Sequence, residues 1–231
     1  MGTQLAYTNG PNAQPVIHVP TLIPPPAYAH VCPYIFRSAD PSIQPESFGF
    51  LDTLGLKSIV LLSIEYPSKQ LEVYCAKNHI EIHHFGIERR WPSPNNLESS
   101  SSASSHLFFS SQEINSFSVL ESIVKDALEL LLDVRNHPVL VTDIAGIFET
   151  GTLLGCLRKI QGWNLSSILF EYRSFAGSLA RSANERFIEM FDTDLITMPP
   201  TEFVPDWLLP SQQFYVDESE RSDSTSHGHS D

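Results

Sequence analysis

The residues of this chain best placed to do chemistry lie in one run, Val139-Leu140-Val141-Thr142-Asp143-Ile144-Ala145-Gly146-Ile147-Phe148-Glu149-Thr150-Gly151. A short apolar strand leads into a glycine-containing loop and then into the start of a helix. In that arrangement successive backbone N–H groups and the positive helix end converge on one point, which makes a site for an anion. The charged side chains within the run are Asp143 and Glu149, both carboxylates. Acids are favoured in a first helical turn in any case. The pair therefore reads either as helix-start acids beside a closed pocket or as part of a site for a different ligand. Aspartyl-phosphate chemistry on Asp143 would need a metal and a second nearby aspartate, and Ile144-Ala145 supplies neither.

Other candidate groups carry less. His83 and His84 are adjacent in a strand-like run, so they point to opposite faces and cannot ligate one metal; one buried and one exposed histidine is expected. Cys32, Cys75 and Cys156 are widely spaced with no His or Cys at metal spacing, which predicts neither a disulfide framework nor a zinc site. His227-Gly228-His229 sits in the acidic C-terminal stretch and offers a metal no more than a weak grip. No metal and no cofactor is expected. The serine run at 99–102, continued by Ser104-Ser105, reads as a solvated linker with phosphorylation as the alternative.

The elements that must position the run alternate strand and helix. Residues 56–63 form an apolar stretch of buried-strand length, 68–78 place Leu71, Tyr74 and Cys75 at helical spacing, and 80–87 read as a second strand. The strongest helix is 117–135, where Val119, Leu120, Ile123, Val124, Ala127, Leu128, Leu131 and Leu132 form one stripe. Asn136-His137-Pro138 ends it. Residues 139–141 are then a short strand, beginning after a proline that could not sit within a central ladder. Helices follow at 150–161, 164–175 and 184–191, with Gly162 and Gly177 as stops and Asn164 as a cap. Trp163, Tyr172 and Phe175 are expected in the core. The sum is an α/β fold with a largely parallel sheet flanked by helices.

Composition sets the limits. The 231 residues suffice for one core. Residues 1–33 hold seven of the 17 prolines and read as an extended arm, 34–209 as the domain, interrupted by a serine-rich insert at about 88–115, and 210–231 as a disordered acidic tail. A net charge of −13 argues against nucleic acid or an anionic membrane as partner and leaves a protein partner. The first basic residue is Arg37 and no run reaches spanning length, so neither a leader nor a membrane segment is expected, and a reducing, cytoplasmic location is.

The run from Val139 resembles the signature of cysteine-dependent phosphatases: a strand, His-Cys, five residues and Arg, then Thr-Gly. Its continuation resembles the fungal oxidant-induced cell-cycle-arrest branch of the plant and fungal atypical dual-specificity phosphatases. The residues concerned are Gly155 through Ser167, Glu171-Tyr172-Arg173-Ser174-Phe175-Ala176-Gly177, and Phe191-Asp192-Thr193-Asp194-Leu195. Upstream, Tyr34-Ile35-Phe36-Arg37-Ser38-Ala39-Asp40-Pro41 is similar to that branch's opening Tyr-Arg-Ser-Gly-x-Pro stretch, and 50–59 to its first helix and strand. The resemblance covers roughly 34–207 and implies the cysteine-phosphatase fold.

Carried over residue by residue, the resemblance places Gly146, Thr150 and Gly151 on the family's glycine and Thr-Gly positions. Ile144, Ala145, Ile147 and Phe148 then complete a vestigial phosphate loop. The reactive positions differ, with Asp143 in place of the nucleophilic cysteine, Thr142 of the histidine before it and Glu149 of the arginine. A thiolate forms the covalent phospho-enzyme and an arginine fork grips two phosphate oxygens. At an effective dielectric of about 20, a unit charge ~4 Å from another costs roughly 4 kcal/mol. Two carboxylates would thus outweigh the ~0.3–1 kcal/mol typical of a helix dipole and repel phosphate. One of them is expected to fill the anion site itself. No aspartate lies between Asp52 and Asp126 to act as general acid; Glu88, Glu98 and Glu113 remain, and Trp91-Pro92-Ser93 is similar to the family's Trp-Pro-Asp loop with serine for aspartate. These replacements imply an inactive phosphatase-like protein, and the resemblance to this branch implies that it acts as a regulatory or scaffolding subunit with protein partners, homologous phosphatase subunits among them. The alternative is an active phosphatase on phosphotyrosine or inositol pyrophosphates.

Overall fold

The structure, a computed structural model, describes residues 21–86 and 111–208, the latter stretch by its backbone alone over 111–117. The serine-rich run, Trp91-Pro92-Ser93, Glu88, Glu98, the side chain of Glu113 and the acidic tail with His227 and His229 lie outside the described residues, as does the arm before residue 21.

Five strands form one sheet: β1 (Ala29–Cys32), β2 (Ile35–Ala39), β3 (Ser58–Leu61), β4 (Glu81–His84) and β5 (Val139–Asp143). Their order is β1-β2-β5-β3-β4, with β1 antiparallel to β2 and every other pairing parallel. The arm expected to run to residue 33 therefore gives way to an edge strand at Ala29, because His30 and Cys32 find backbone partners in Phe36 and Ile35.

Strand β5 is the centre of the sheet and is longer than its apolar residues predict. Thr142 and Asp143 continue it because their carbonyls accept from Leu62 and Asp40 N–H at 2.9 and 2.8 Å. Pro138 stays just outside the ladder, where its carbonyl takes the N–H of Lys57 at 2.8 Å. Both faces of β5 are covered, as a central parallel strand requires. Val139 and Val141 pack with Val60 in one core and Leu140 with Ile59 in the other, the period of two expected of a strand.

Helices α1 (Phe48–Leu51) and α2 (Lys69–Asn78) close the smaller core through Leu51, Leu71 and Cys75. The larger core is covered by α3 (Ser111–Leu131), α4 (Phe148–Ile160), α5 (Leu165–Ala176) and α6 (Ser182–Met190). Helix α3 starts within the segment expected as insert and ends earlier than its apolar stripe suggests, since Val134–Asn136 tighten into a 3-10 turn capped by Asp133. Asn164 caps α5 by accepting from Ser167 N–H at 2.9 Å, and Gly162 and Gly177 both take positive φ at helix ends. Among the described residues no helix is long and apolar enough to cross a membrane.

Two expectations about side chains need correcting. Trp163 is exposed because it lies in the turn after α4, where its ring covers the Arg158 guanidinium at 4.3 Å; Phe175 is half-buried and lies on that of Arg37 at 3.6 Å. Of the three aromatics, Tyr172 alone is fully buried. His83 and His84 are both partly buried; His84 Nε2 pairs with the Ser63 carbonyl at 2.8 Å and His83 lies 3.8 Å from Glu81.

Candidate functional site

Asp143 is the last residue of β5 and, by strand parity, shares its face with Val139 and Val141, so its carboxylate points to the helical side where α4 begins. There it takes the loop's donors. Oδ1 accepts from the N–H of Gly146 and, at 3.2 Å, of Ile147, while Oδ2 accepts from Thr150 N–H at 2.9 Å. Asp143 is buried, and these are the groups that an anion at this helix N-terminus would use. The expectation that a carboxylate fills the cradle thus falls on Asp143.

The turn depends on Gly146. Its φ of +68 is unfavourable for a residue with a side chain, and a Cβ there would run into the backbone of Ser38 and Ala39 in β2. Its carbonyl accepts from Arg37 Nη2 at 2.6 Å. Arg37 is a cation inside the protein, stacked on Phe175. Burial lowers its pKa to about 10, with Glu171 and Asp143 acting against that, so it remains charged at neutral pH. The sequence carried one signal for it, its place in the Tyr34 to Pro41 stretch, but nothing local tied it to a loop 109 positions away.

Glu149 sits in the first turn of α4, partly covered. Burial, then the charge of Asp143 and a hydrogen bond to it, push the carboxyl up from 4.5 to about 8, and the pull of Arg181 is the weaker influence. Burial beside Asp143 thus favours the protonated form of Glu149, which lowers the charge at the loop below that of two free carboxylates at the position that resembles the family's arginine. Arg181 lies across the Phe148 ring at 3.6 Å, and the Phe148 carbonyl accepts from Asn184 Nδ2 at 3.2 Å. Three buried polar atoms near the loop have no partner: Thr150 Oγ1, Asn184 Oδ1 and Arg37 Nε.

The remaining expected positions divide. Ile144 is exposed and Ala145 half-exposed, offering the site nothing but backbone. Thr142 is buried on the opposite strand parity and its hydroxyl donates to the Asp143 carbonyl at 3.3 Å, away from the cradle. None of the cysteines reaches the loop. Cys32 is in β1, Cys75 in α2 and Cys156 in α4, all buried, and burial pushes the first two thiols up to about 11 and the third higher still. A thiol so shifted is not a thiolate at neutral pH. Among the described residues no cluster of His, Cys, Asp and Glu is arranged to hold a metal ion.

A mostly parallel sheet with a loop cradling an anion between its central strand and the next helix defines the cysteine-phosphatase fold. The core catalytic domain of the PP-IP phosphatase SIW14 from S. cerevisiae, solved with citrate, superposes with a TM-score of 0.59 at 31% identity, over 75% of this chain and 90% of that one. The tyrosine phosphatase family matches residues 22–207, and the chain belongs to that family. It is 39% identical over 183 residues to the inositol diphosphatase DSP4 of Arabidopsis thaliana, covering 78% of this chain and 79% of the relative. It is 38% identical over 176 residues to a Mycosarcoma maydis protein named OCA1, itself named among tyrosine-protein phosphatases, covering 76% of this chain and 96% of that one.

Proposed function

We propose that this member of the tyrosine phosphatase family does not carry out cysteine-dependent phosphoryl transfer and works by binding other proteins, homologous phosphatase subunits among them, in the cytoplasm. The observation behind the reading is the Asp143 carboxylate seated on the N–H groups of Gly146, Ile147 and Thr150, where a phosphoryl group would have to sit. A bound oxyanion must displace it or share the site with its charge. The absence of a reactive thiol supports the same reading.

A second reading is favoured by the comparisons. Similar proteins at 39 and 41% identity are named inositol diphosphatases, and the superposed structure is that of a PP-IP phosphatase, so an active phosphatase on inositol pyrophosphates or phosphotyrosine fits those names. Such an enzyme would need Asp143 or a water as its nucleophile.

Turnover of a generic aryl phosphate and of an inositol pyrophosphate separates the two. On the first reading the wild-type chain is silent on both, and the Asp143→Cys, Glu149→Arg double variant gains activity. Wild-type turnover that disappears in Asp143→Ala would overturn it in favour of the second.

A further inference from the structure

Along the outer face of helix α5 runs an open groove of about 510 Å³. Trp163, just before the helix, and then Ser166, Ser167, Phe170, Glu171 and Ser174 line it, the last five at the spacing of one helical stripe. Phe170 is 75% exposed, which makes it, with Tyr66, the most exposed large apolar side chain among the described residues. Trp163 and Leu165 beside it are exposed as well. Single exposed hydrophobics are ordinary, but an aromatic ring standing in mid-helix beside a groove that it helps to line marks a contact surface.

Charge decides what the groove can take. The two charged side chains on and beside the stripe are already paired within the chain, Glu171 with Arg158 at 2.7 and 2.9 Å and Arg173 with Glu185 at 2.7 and 2.6 Å. Ser174 spends its hydroxyl on the carbonyls of Phe170 and Glu171, at 2.6 and 3.1 Å, so what it offers the groove is its methylene. The face therefore suits an apolar, uncharged occupant and holds out no free charge to an acidic or a basic segment. It is also complementary to itself. About a line between Ile168 and Leu169 the positions pair as Phe170 with Ser167, Glu171 with Ser166 and Trp163 with Ser174, a larger side chain with a serine each time. Two α5 helices packed antiparallel on a two-fold axis through that line set each ring of one over a serine of the other, as an isologous interface requires.

We propose that two copies of this chain associate through α5, antiparallel, with Phe170 of each seated over the partner subunit's Ser166 and Ser167. The inference goes beyond the reading above and does not rest on it, because the groove shares no residue with the loop at 143–150. Area sets the strength. At ~150–250 Å² per aromatic side chain, exposures of 44 and 75% leave about 250 Å² of ring surface on each copy. An interface centred on those rings belongs at the low end of the ~1,200–2,000 Å² of stable complexes, which makes a weak dimer. Each chain carries a net charge of −13, so the copies repel at long range, and no ion pair crosses the contact. Added salt, which screens charges beyond ~8 Å at physiological strength, therefore tightens the dimer.

Sedimentation velocity on the full chain, from low to several hundred micromolar and at two salt concentrations, tests this. Expected is a monomer–dimer equilibrium with a dissociation constant on the order of 10–100 μM, lower at the higher salt. Phe170→Asp, at an exposed position, should weaken it by about thirtyfold or more, as the loss of an aromatic anchor does, and leave the urea unfolding midpoint unchanged. Ser167→Arg, which fills the seat from the opposite side, should weaken it equally. A chain that stays monomeric across the range, a dimer that survives either substitution, or one that salt dissociates overturns the inference. Should one variant not fold, the other decides.

Discussion

Helix α4 carries buried charge at both ends, and the two ends are built on different principles. At its C-terminal end the Arg158 guanidinium is fully engaged, by Glu171 at 2.7 and 2.9 Å, the Gln161 side chain at 2.8 Å and the Val31 carbonyl at 3.1 Å, and Trp163 covers its face. This ties α4, α5 and β1 together. At its N-terminal end the Asp143 carboxylate has, among the described residues, no cation paired to it; backbone N–H groups take its charge, and Thr150, Asn184 and Arg37 each keep a polar atom unsatisfied. Buried polar groups left unpaired cost stability and concentrate where a fold has been shaped for something other than stability.

Three substitutions probe that contrast. The largest effect is expected at the clamp. Arg158→Ala leaves Glu171 without its partner and removes the donor to the Val31 carbonyl, and since Glu171 is about a quarter exposed the loss lies near the lower end of the ~3–5 kcal/mol typical of broken buried pairs. Urea unfolding at neutral pH measures it, and a loss below 1 kcal/mol would show the clamp to be incidental. A smaller loss is expected at the loop. Asp143→Ala leaves three N–H groups without their acceptor, roughly 2–3 kcal/mol given that Glu149 can turn in to recover part of the bonding. If the same unfolding experiment finds Asp143→Ala as stable as wild type, the carboxylate does not hold the loop. The smallest is at the surface, where Arg173→Ala removes an exposed pair with Glu185 and should leave the unfolding midpoint unchanged within error. A measurable drop there would mean that the exposed pair and the buried clamp do not differ as described.

Much of this contrast was legible in order of locality. The β5 run, the glycine at 146, the caps at Asn164 and Gly177 and the missing loop thiol are statements about neighbours in the chain, and the structure has them at those positions. Trp163 was misplaced in the core because its type suggests burial, whereas its position beyond the end of α4 lets it lie over a cation at the surface. Thr142 and Asp143 were placed in the loop because strand length cannot be read without the partners Leu62 and Asp40. The raised carboxyl of Glu149 was out of reach for the same reason: counted as charges, the carboxylates gave two, and only burial and the neighbouring Asp143 favour a proton on one of them.

By itself, then, the sequence determined the strand-loop-helix at 139–151, the carboxylates within it and the three cysteines outside it, because these follow from local periodicity, glycine conformation and residue type. The tertiary structure alone decided that β5 is central, that Asp143 turns into the cradle, that burial raises the Glu149 carboxyl and that Arg37 and Arg158 are buried. Each of these rests on contacts such as Arg37 to Gly146 and Arg158 to Val31, 109 and 127 positions apart, where environment rather than residue type sets charge and direction.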